Sequence, residues 1–336
     1  MSSVASLLAV LLGLLGCVVA FRPTVVTDDP HQSLFEEWRN TFKKEYHTFE
    51  EYAHRMKVFL QNHRHIESHN AAGHSYTLRA NHFADLTHDE FKARYNLGKP
   101  ILKKTSAKTV DLSGQINVPE SQDWTEKGAV TPVKDQGQCG SCWSFSTTGA
   151  TEGANYIKHK KLVSLSEQQL VDCSGPEGDH GCDGGLMDFG FEYIIKEGGI
   201  CTEASYPYEA QDDTCRADKC TDVVKVSSFV DVDQYNERAL KAAVAQQPVA
   251  VAIEADQLSF QFYDSGVMTG ECGTSLDHGV LVVGYGEDNG VKYWKIKNSW
   301  GDSWGEDGYI RIERSESKGL PGQCGVAMQP SYPIAA

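Results

Sequence analysis

The amino-acid sequence predicts an α+β protein whose main part has two subdomains with a cleft between them, preceded by a separate helical unit. Three observations carry this. Between residues 33 and 91, apolar side chains recur at helical spacing. From Pro119 onward helical patterns come first and β-rich patterns follow, an order that favours segregated helical and β layers. The charge also shifts: residues 21–117 carry 14 Lys+Arg and 12 Asp+Glu, net +2, whereas 118–336 carry 17 and 34, net −17. At 336 residues and 40% hydrophobic side chains, the chain can fill the cores of one or two ordinary domains. It contains no internal repeat.

The elements follow in chain order. Val4 to Ala20, "VASLLAVLLGLLGCVVA", is one apolar block ending in a small-residue Val18-x-Ala20 site. It reads as a secretory signal peptide over 1–20, with an uncleaved signal anchor as the alternative. Leu34, Phe35, Trp38, Phe42 and Tyr46 share one face of a first helix. Thr48, with Glu51 three residues later, opens a second and longer one. Its apolar stripe runs through Tyr52, Met56, Phe59, His63 and Ile66, widened by Leu60. Residues 81–91 read as a turn into a short helix at Thr87. Residues 96–117 lack periodicity and are rich in Lys, Ser, Thr and Gly, which predicts an extended, cleavable linker.

Beyond the linker, a helix is expected from Ser141 to about His159, with Gly149, Ala150 and Gly153 permitting close packing. "SLSEQQLVDC" gives a short helix capped by Ser166. "DGGLMDFGFEYIIKEGG" gives another, closed by Gly198 and Gly199. "PVAVAIE", "HGVLVVGYGE", "VKYWKIKNSW" and "GYIRIER" read as strands, and Asp288-Asn289-Gly290 as a hairpin turn.

The acidic 118–336 argues against a nucleic-acid partner, and no later segment could cross a bilayer, so no membrane contact is expected once the leader is gone. Of ten cysteines, Cys17 leaves with the leader and nine remain. Secretion permits disulfides, but nine is odd, so one thiol is free or paired to another chain. "KDQGQCGSCWSFS" places Cys139 and Cys142 three apart. Such a pair can be a redox couple, half of a zinc site, or two cysteines with unrelated roles.

Four pieces lie in order along the chain: Gln136, Cys142, His278 in "LDHGVLVVGYG" and Asn298 in "KNSWG". Each alone is commonplace; a lone His at a strand edge is usually structural. Together with the run Cys139-Gly140-Ser141-Cys142-Trp143 they match the papain/cathepsin signature. From the first helices to the C-terminus the chain resembles the papain-like cysteine peptidases, and among them the cathepsin L-like branch. The resemblance implies a papain-like two-subdomain fold, with a helical left domain and a β-barrel-like right domain, behind an N-terminal helical propeptide domain. The boundaries expected are 21–117 for an inhibitory propeptide and 118–336 for the peptidase.

The chemistry expected of these residues follows from their types. A thiol is a poor nucleophile until ionised, and Cys142 stands at a helix start, where the backbone dipoles favour a negative sulfur. A neighbouring His278 imidazolium would complete an ion pair and later protonate the leaving amine. Asn298 would accept from the other ring nitrogen and orient the imidazole. Gln136 and the Cys142 N–H would donate to the developing oxyanion, each such donor being worth roughly 3 kcal/mol of barrier.

By resemblance, Trp300 shields the Asn298–His278 bond, Cys142 is the free thiol, and the bridges are Cys139–Cys182, Cys173–Cys215 and Cys272–Cys324. Cys201 and Cys220 fall outside that common set, and parity pairs them. Gly184 and Gly185 would let a peptide backbone approach in extended form. Leu186, Met187, Ala252 and Leu276 would line an S2 pocket for Leu, Val or Phe, with Gln329 at its floor. Asp277 and Trp304 complete the substrate-binding set; for Trp304 core packing is the alternative. Without an occluding-loop insertion, an endopeptidase is expected. No cofactor and no metal is implied.

Glu51, Arg55, Phe59, Asn62, Ile66 and Asn70 form one helical stripe that reproduces the ERFNIN pattern of cathepsin L-like propeptides. Asn81, Phe83 and Asp85 match most of a second motif, G-x-N-x-F-x-D, with Arg79 in place of the Gly. The resemblance implies that this unit runs through the cleft in reverse and blocks Cys142. Nine of the twelve histidines lie in 21–117, and their charging in acid is expected to weaken docking; solvated helix positions are the bland alternative. A metal site at His63, His65 and His69 fits by spacing alone. Expected partners are protein and peptide substrates, the chain's own propeptide and cystatin-like inhibitors, acting on a monomer in the secretory pathway, a lysosome or vacuole, or outside the cell. A non-catalytic binding homologue and a Cys139/Cys142 oxidoreductase are the rival classes.

Overall fold

The computed structural model describes residues 30–97, 99, 109–112, 114, 118–220, 223–270 and 272–336. The expected signal peptide, most of the 96–117 linker and the expected start of the second unit near Asn117 lie outside them.

The N-terminal unit opens with α1 (Pro30–Thr41) and α2 (Phe49–Ala71). Thr48 caps α2, its side chain accepting from Glu51 N–H. Phe35 and Trp38 of α1 meet Phe59 of α2 at ring distances of 5.4 and 5.0 Å. With Ile66, Leu78 and Ala84 they form a core that also takes in Phe262 of the second unit, each buried ring contributing roughly 2–3 kcal/mol. The polar members of the helical stripe pin the following loop. Asn62 Nδ2 donates to the carbonyls of Ala84 and Leu86, both at 2.9 Å. Asn70 exchanges two 2.9 Å bonds with Leu78, and Arg55 reaches Glu90 at 2.8 Å. After β1 (Tyr76–Leu78) comes α3 (His88–Tyr95), opened by a reciprocal Thr87/Glu90 capping box. β2 (Thr109–Val110) follows in the linker.

The second unit begins with β3 (Gln122–Asp123) and the long helix α4 (Cys142–His159). α4 is buried along most of its length. A Cβ at Gly149 would meet Leu281 Cδ2 at 2.8 Å and one at Gly153 would meet Pro248 Cγ at 2.6 Å, so glycine there lets the sheet approach the helix. α5 (Glu167–Cys173), capped by Ser166, and α6 (Met187–Glu197), closed by Gly198 at φ 83°, complete the helical subdomain. β4 (Ile200–Cys201) and β5 (Val223–Val224) form a small separate ribbon.

The β subdomain comprises β6 (Val226–Val232), α7 (Glu237–Gln246), β7 (Val249–Ile253), α8 (Leu258–Phe262), β8 (Tyr263–Met268), β9 (His278–Asp288), β10 (Val291–Lys297), β11 (Tyr309–Glu313) and β12 (Ser331–Ala335). The main sheet runs β1-β8-β11-β10-β9-β7-β12-β6-β2, with β3 also on β9. β9 and β10 are joined by Asn289 and Gly290, at φ 50° and 82°, the left-handed pair a tight hairpin requires. One core gathers Trp143, Leu170, Phe191 and Ile194 between the helices, and another gathers Val251, Trp294, Ile296 and Ile312 within the sheet. The α+β architecture of two subdomains behind a helical unit is the one expected. The N-terminal unit supplies a strand at each end of the sheet: β1 antiparallel on β8 and β2 parallel on β6.

Candidate active site

Cys142 occupies the first turn of α4, and His278 opens β9. Asn298 directly follows β10. The β9–β10 hairpin pairs Leu281 with Lys297, so its two open ends bring His278 and Asn298 together although they are 20 residues apart. His278 Nε2 lies 2.7 Å from Asn298 Oδ1. The same oxygen accepts from the backbone N–H of Ser299 at 2.8 Å. A backbone N–H can only donate, so this atom must be the amide oxygen. His278 Nε2 therefore carries the hydrogen, and in the neutral ring Nδ1 keeps its lone pair. Nδ1 is buried with no hydrogen-bond partner among the described residues.

Trp300 covers this pair. It is fully buried and stacks on His278 with centroids 4.8 Å apart. The Gly279 N–H donates to Cys142 Sγ at 3.3 Å, so the residue after His278 lies against the sulfur. Gln136 is also fully buried; its Nε2 donates to the Cys139 carbonyl at 2.9 Å and its Oε1 accepts from Ser299 Oγ at 2.7 Å. Tyr208 OH holds the Gln136 carbonyl at 2.8 Å. Gly279, Ser299 and Tyr208 were not singled out in the sequence; the signal available for the first two was adjacency to His278 and Asn298.

The electrostatics differ from the ion pair expected. Cys142 is 6% exposed. Loss of water pushes its thiol up to about 11; the Gly279 N–H works against that rise and the Asp277 carboxylate adds to it. Burial pulls His278 down to about 4, opposed only by its bond to Asn298. In this covered form burial thus works against the charged form of both groups. The cover is the N-terminal unit. Tyr95 stacks on Trp300 at 4.9 Å, and Phe91 meets it edge-on at 5.2 Å. Asn96 Nδ2 donates to the Asp183 carbonyl at 3.0 Å. Tyr95, Asn96 and Lys99 enclose one pocket with Gly140, Cys142, Gly184, Gly185 and Asp277.

The remaining expected binding residues fall in different places. Gly184 is open at φ 115°, whereas a Cβ on Gly185 would run into the Trp143 ring and Asp179. Met187, Ala252 and Leu276 share an apolar cluster with the half-buried Met328. Gln329 instead borders a small polar cavity with Leu186, Asp188, Asp231 and Gln234. Asp277 Oδ1 accepts from Ala255 N–H at 2.8 Å. Trp304 is fully buried, its Nε1 donating to the Phe260 carbonyl at 2.9 Å, so it packs in the core of this form. The bridges formed are Cys139–Cys182, Cys173–Cys215, Cys201–Cys220 and Cys272–Cys324, with Cys142 free.

In the N-terminal unit, Asn81 Nδ2 donates to the Gln261 carbonyl at 2.7 Å, and Asp85 accepts from Lys44 and Tyr46, each at 3.0 Å. Arg79, where the motif has Gly, adopts no left-handed φ. Its N–H donates to the Phe262 carbonyl at 2.8 Å and its guanidinium pairs with Asp264 at 2.6 Å. His63 faces Glu67 and His69 stacks on His74; no three metal-ligating side chains converge among the described residues. Nor is any described helix long and apolar enough to cross a membrane.

Residues 118–334 match the family described as papain family cysteine protease, and residues 35–91 match the cathepsin propeptide inhibitor domain (I29). Cysteine proteinase RD21A of Arabidopsis thaliana is 48% identical over 309 residues, covering 90% of this chain and 66% of the relative. Senescence-specific cysteine protease SAG39 of Oryza sativa subsp. indica is 47% identical over 339 residues, covering 97% and 98%. Among solved structures, the proform of the ragweed pollen allergen Amb a 11, a cysteine protease, superposes with a TM-score of 0.84 at 42% identity, covering 92% of this chain and 96% of that one. With its site residues converging beneath a helical N-terminal cover, this chain belongs to the papain family of cysteine proteases and carries a cathepsin-type propeptide inhibitor domain ahead of the protease domain.

Proposed function

We propose that Cys142 is the nucleophile of an endopeptidase made as a zymogen, with His278 as its acid–base partner, Asn298 as the orienting residue and Gln136 as oxyanion donor. The observation that carries this reading is the His278–Asn298 bond of 2.7 Å beside a sulfur that accepts from Gly279. In the open enzyme His278 Nδ1 takes the thiol proton. The thiolate attacks the scissile carbonyl carbon and forms a C–S bond, and the oxyanion is met by Gln136 Nε2 and the Cys142 N–H. Collapse breaks the C–N bond as His278 returns the proton to the leaving amine. Water, deprotonated by the same nitrogen, then cleaves the thioester and regenerates the thiol.

The apolar walls of Met187, Ala252, Leu276 and Met328 favour Leu, Val or Phe at P2. Residues 21–117 act as the inhibitory prosegment and 118–336 as the peptidase. Acid triggers their separation by charging prosegment histidines and by protonating carboxylates. Four bridges and the apolar leader support a secretory route, ending in a lysosome, a vacuole or the extracellular space. The rival dithiol chemistry is disfavoured because Cys139 is already joined to Cys182.

The test is to acid-treat the full chain, titrate it with a thiol-alkylating epoxide, and assay peptides with Leu, Phe or Arg at P2. One equivalent of epoxide should abolish cleavage, and Cys142→Ser should lose roughly 10⁵-fold or more. Cleavage surviving in Cys142→Ser would defeat the assignment; P2-Arg peptides cleaved as fast as P2-Leu would defeat the apolar preference.

A further inference from the structure

Behind the His278–Asn298 pair lies a largely buried cluster of two lysines and two glutamates that the hydrolytic steps do not use. Lys297 ends β10, and Asn298 follows it directly. Lys297 Nζ donates to Thr131 Oγ1 at 2.9 Å, and that hydroxyl donates to Glu152 Oε2 at 2.6 Å. Glu152 belongs to α4, the helix that begins with Cys142. Its other oxygen accepts from Leu165 N–H at 2.9 Å and lies 3.4 Å from Lys134 Nζ. Lys134 also pairs with Glu167 Oε1 at 2.7 Å, and Thr148 Oγ1 donates to that same oxygen at 2.6 Å. The bonds therefore run from the strand that presents Asn298 to the helix that presents Cys142.

A cavity of about 20 Å³ lies beside this cluster, between α4 and the hairpin, walled in part by Thr148, Glu167, Lys297, Asn298 and Ser299. That volume admits one water. Two of its wall residues carry buried polar atoms that have no hydrogen-bond partner among the described residues: Asn298 Nδ2, a donor, and Glu167 Oε2, an acceptor. Their residues are 4% and 1% exposed. Unmatched buried groups of opposite character are costly, and water can satisfy both.

We propose that the cavity is a structural water site in which one water accepts from Asn298 Nδ2 and donates to Glu167 Oε2, making Glu167 a positioning residue for hydrolysis. Ser299 N–H holds the oxygen end of the Asn298 amide, and the water holds its nitrogen end. The amide then cannot turn over, and His278 keeps the tautomer that leaves Nδ1 free for the thiol. A charge cluster that only ties the subdomains together would affect stability and leave turnover per active site unchanged.

This rests on Asn298 orienting His278, and the tests separate the two ideas. The acid-activated full chain, counted by epoxide titration, is compared with Glu167→Met and Glu167→Gln. Glu167→Met should lower kcat about tenfold, the worth of one hydrogen bond, with KM held within about twofold; Glu167→Gln should restore most of it. A high-resolution crystal structure of the active enzyme should show a water bonded to Asn298 Nδ2 and Glu167. A dry cavity, or a Glu167→Met enzyme with unchanged kcat, overturns the proposal. If Glu167→Met does not fold, the crystal structure decides alone. An Asn298→Ala enzyme with undiminished kcat would instead sink the orienting role of Asn298.

Discussion

Ser299 reaches both arms of the site: its N–H fixes the Asn298 oxygen and its hydroxyl fixes the Gln136 oxygen. The second bond turns Gln136 Nε2 toward Cys139 and the start of α4, where one amide proton is engaged and the other suits the proposed oxyanion contact. Gln136→Ala should therefore lower kcat by about 10²-fold with little change in KM, measured per titrated thiol; a change confined to KM would place Gln136 in substrate binding. At this scale the sequence was informative where identity matters. Cys142, His278, Asn298 and Gln136 stand out because thiol, imidazole and amide side chains have few substitutes. Gly279 and Ser299 N–H were silent, because a backbone donor leaves no mark on residue type. The shift of Cys142 and His278 toward their neutral forms was also illegible, since it comes from burial in the folded chain, a tertiary effect.

Helices α2, α3, α5 and α6 carry their caps in the sequence at Thr48, Thr87, Ser166 and Gly198, and strands β7, β9, β10 and β11 carry continuous β-rich runs. Strand β1 has three residues and pairs with β8 across more than 180 positions, so nothing local announces either. The ten-residue α7 was missed beside strand-rich neighbours although Asn236 caps it, accepting from Ala239 N–H at 3.1 Å. The loop between β1 and α3 also holds His82, the prosegment residue through which the proposed acid trigger can be tested. His82 packs on Phe83 at 3.7 Å and lies 3.0 Å from Ser303 Oγ. Burial first, and then the nearby cations Lys44, Arg94 and Arg79, together pull it down to about 3. The docked value lies below the ordinary 6.5, so docking is strongest above that pH and weakens as pH falls toward 3. Replacing His82 with Gln should move the midpoint of autoprocessing to lower pH, and His82→Arg should release activity near neutrality. Identical pH profiles for both variants and the parent would assign the trigger to the carboxylates.

Across the whole molecule the prosegment is continuous with the enzyme rather than laid upon it. Phe83, Phe91, Tyr95 and Leu97 belong to the same buried cluster as Trp300, Trp304 and the sheet core, and Phe262 returns the contact into the prosegment core. Covering the site also withdraws it from water, which raises the Cys142 thiol. The midpoint of iodoacetamide alkylation against pH should therefore lie near the alkaline end for the intact chain and fall by several units on prosegment removal, with at least about a hundredfold faster reaction at pH 6. A slower rate in the proform with an unshifted midpoint would mean that the prosegment blocks access without altering ionisation.

Maturation also has a consequence at the margins of the sheet. When β1 and β2 depart, β8 and β6 are left as naked rims, with groups such as the Val267 N–H, which had bonded the Ser75 carbonyl at 3.1 Å, turned to solvent. Unpaired rims of this kind invite foreign extended chains and self-stacking. The prosegment strands thus also shield the sheet's own edges, and the freshly ripened enzyme is expected to be the form most prone to clump.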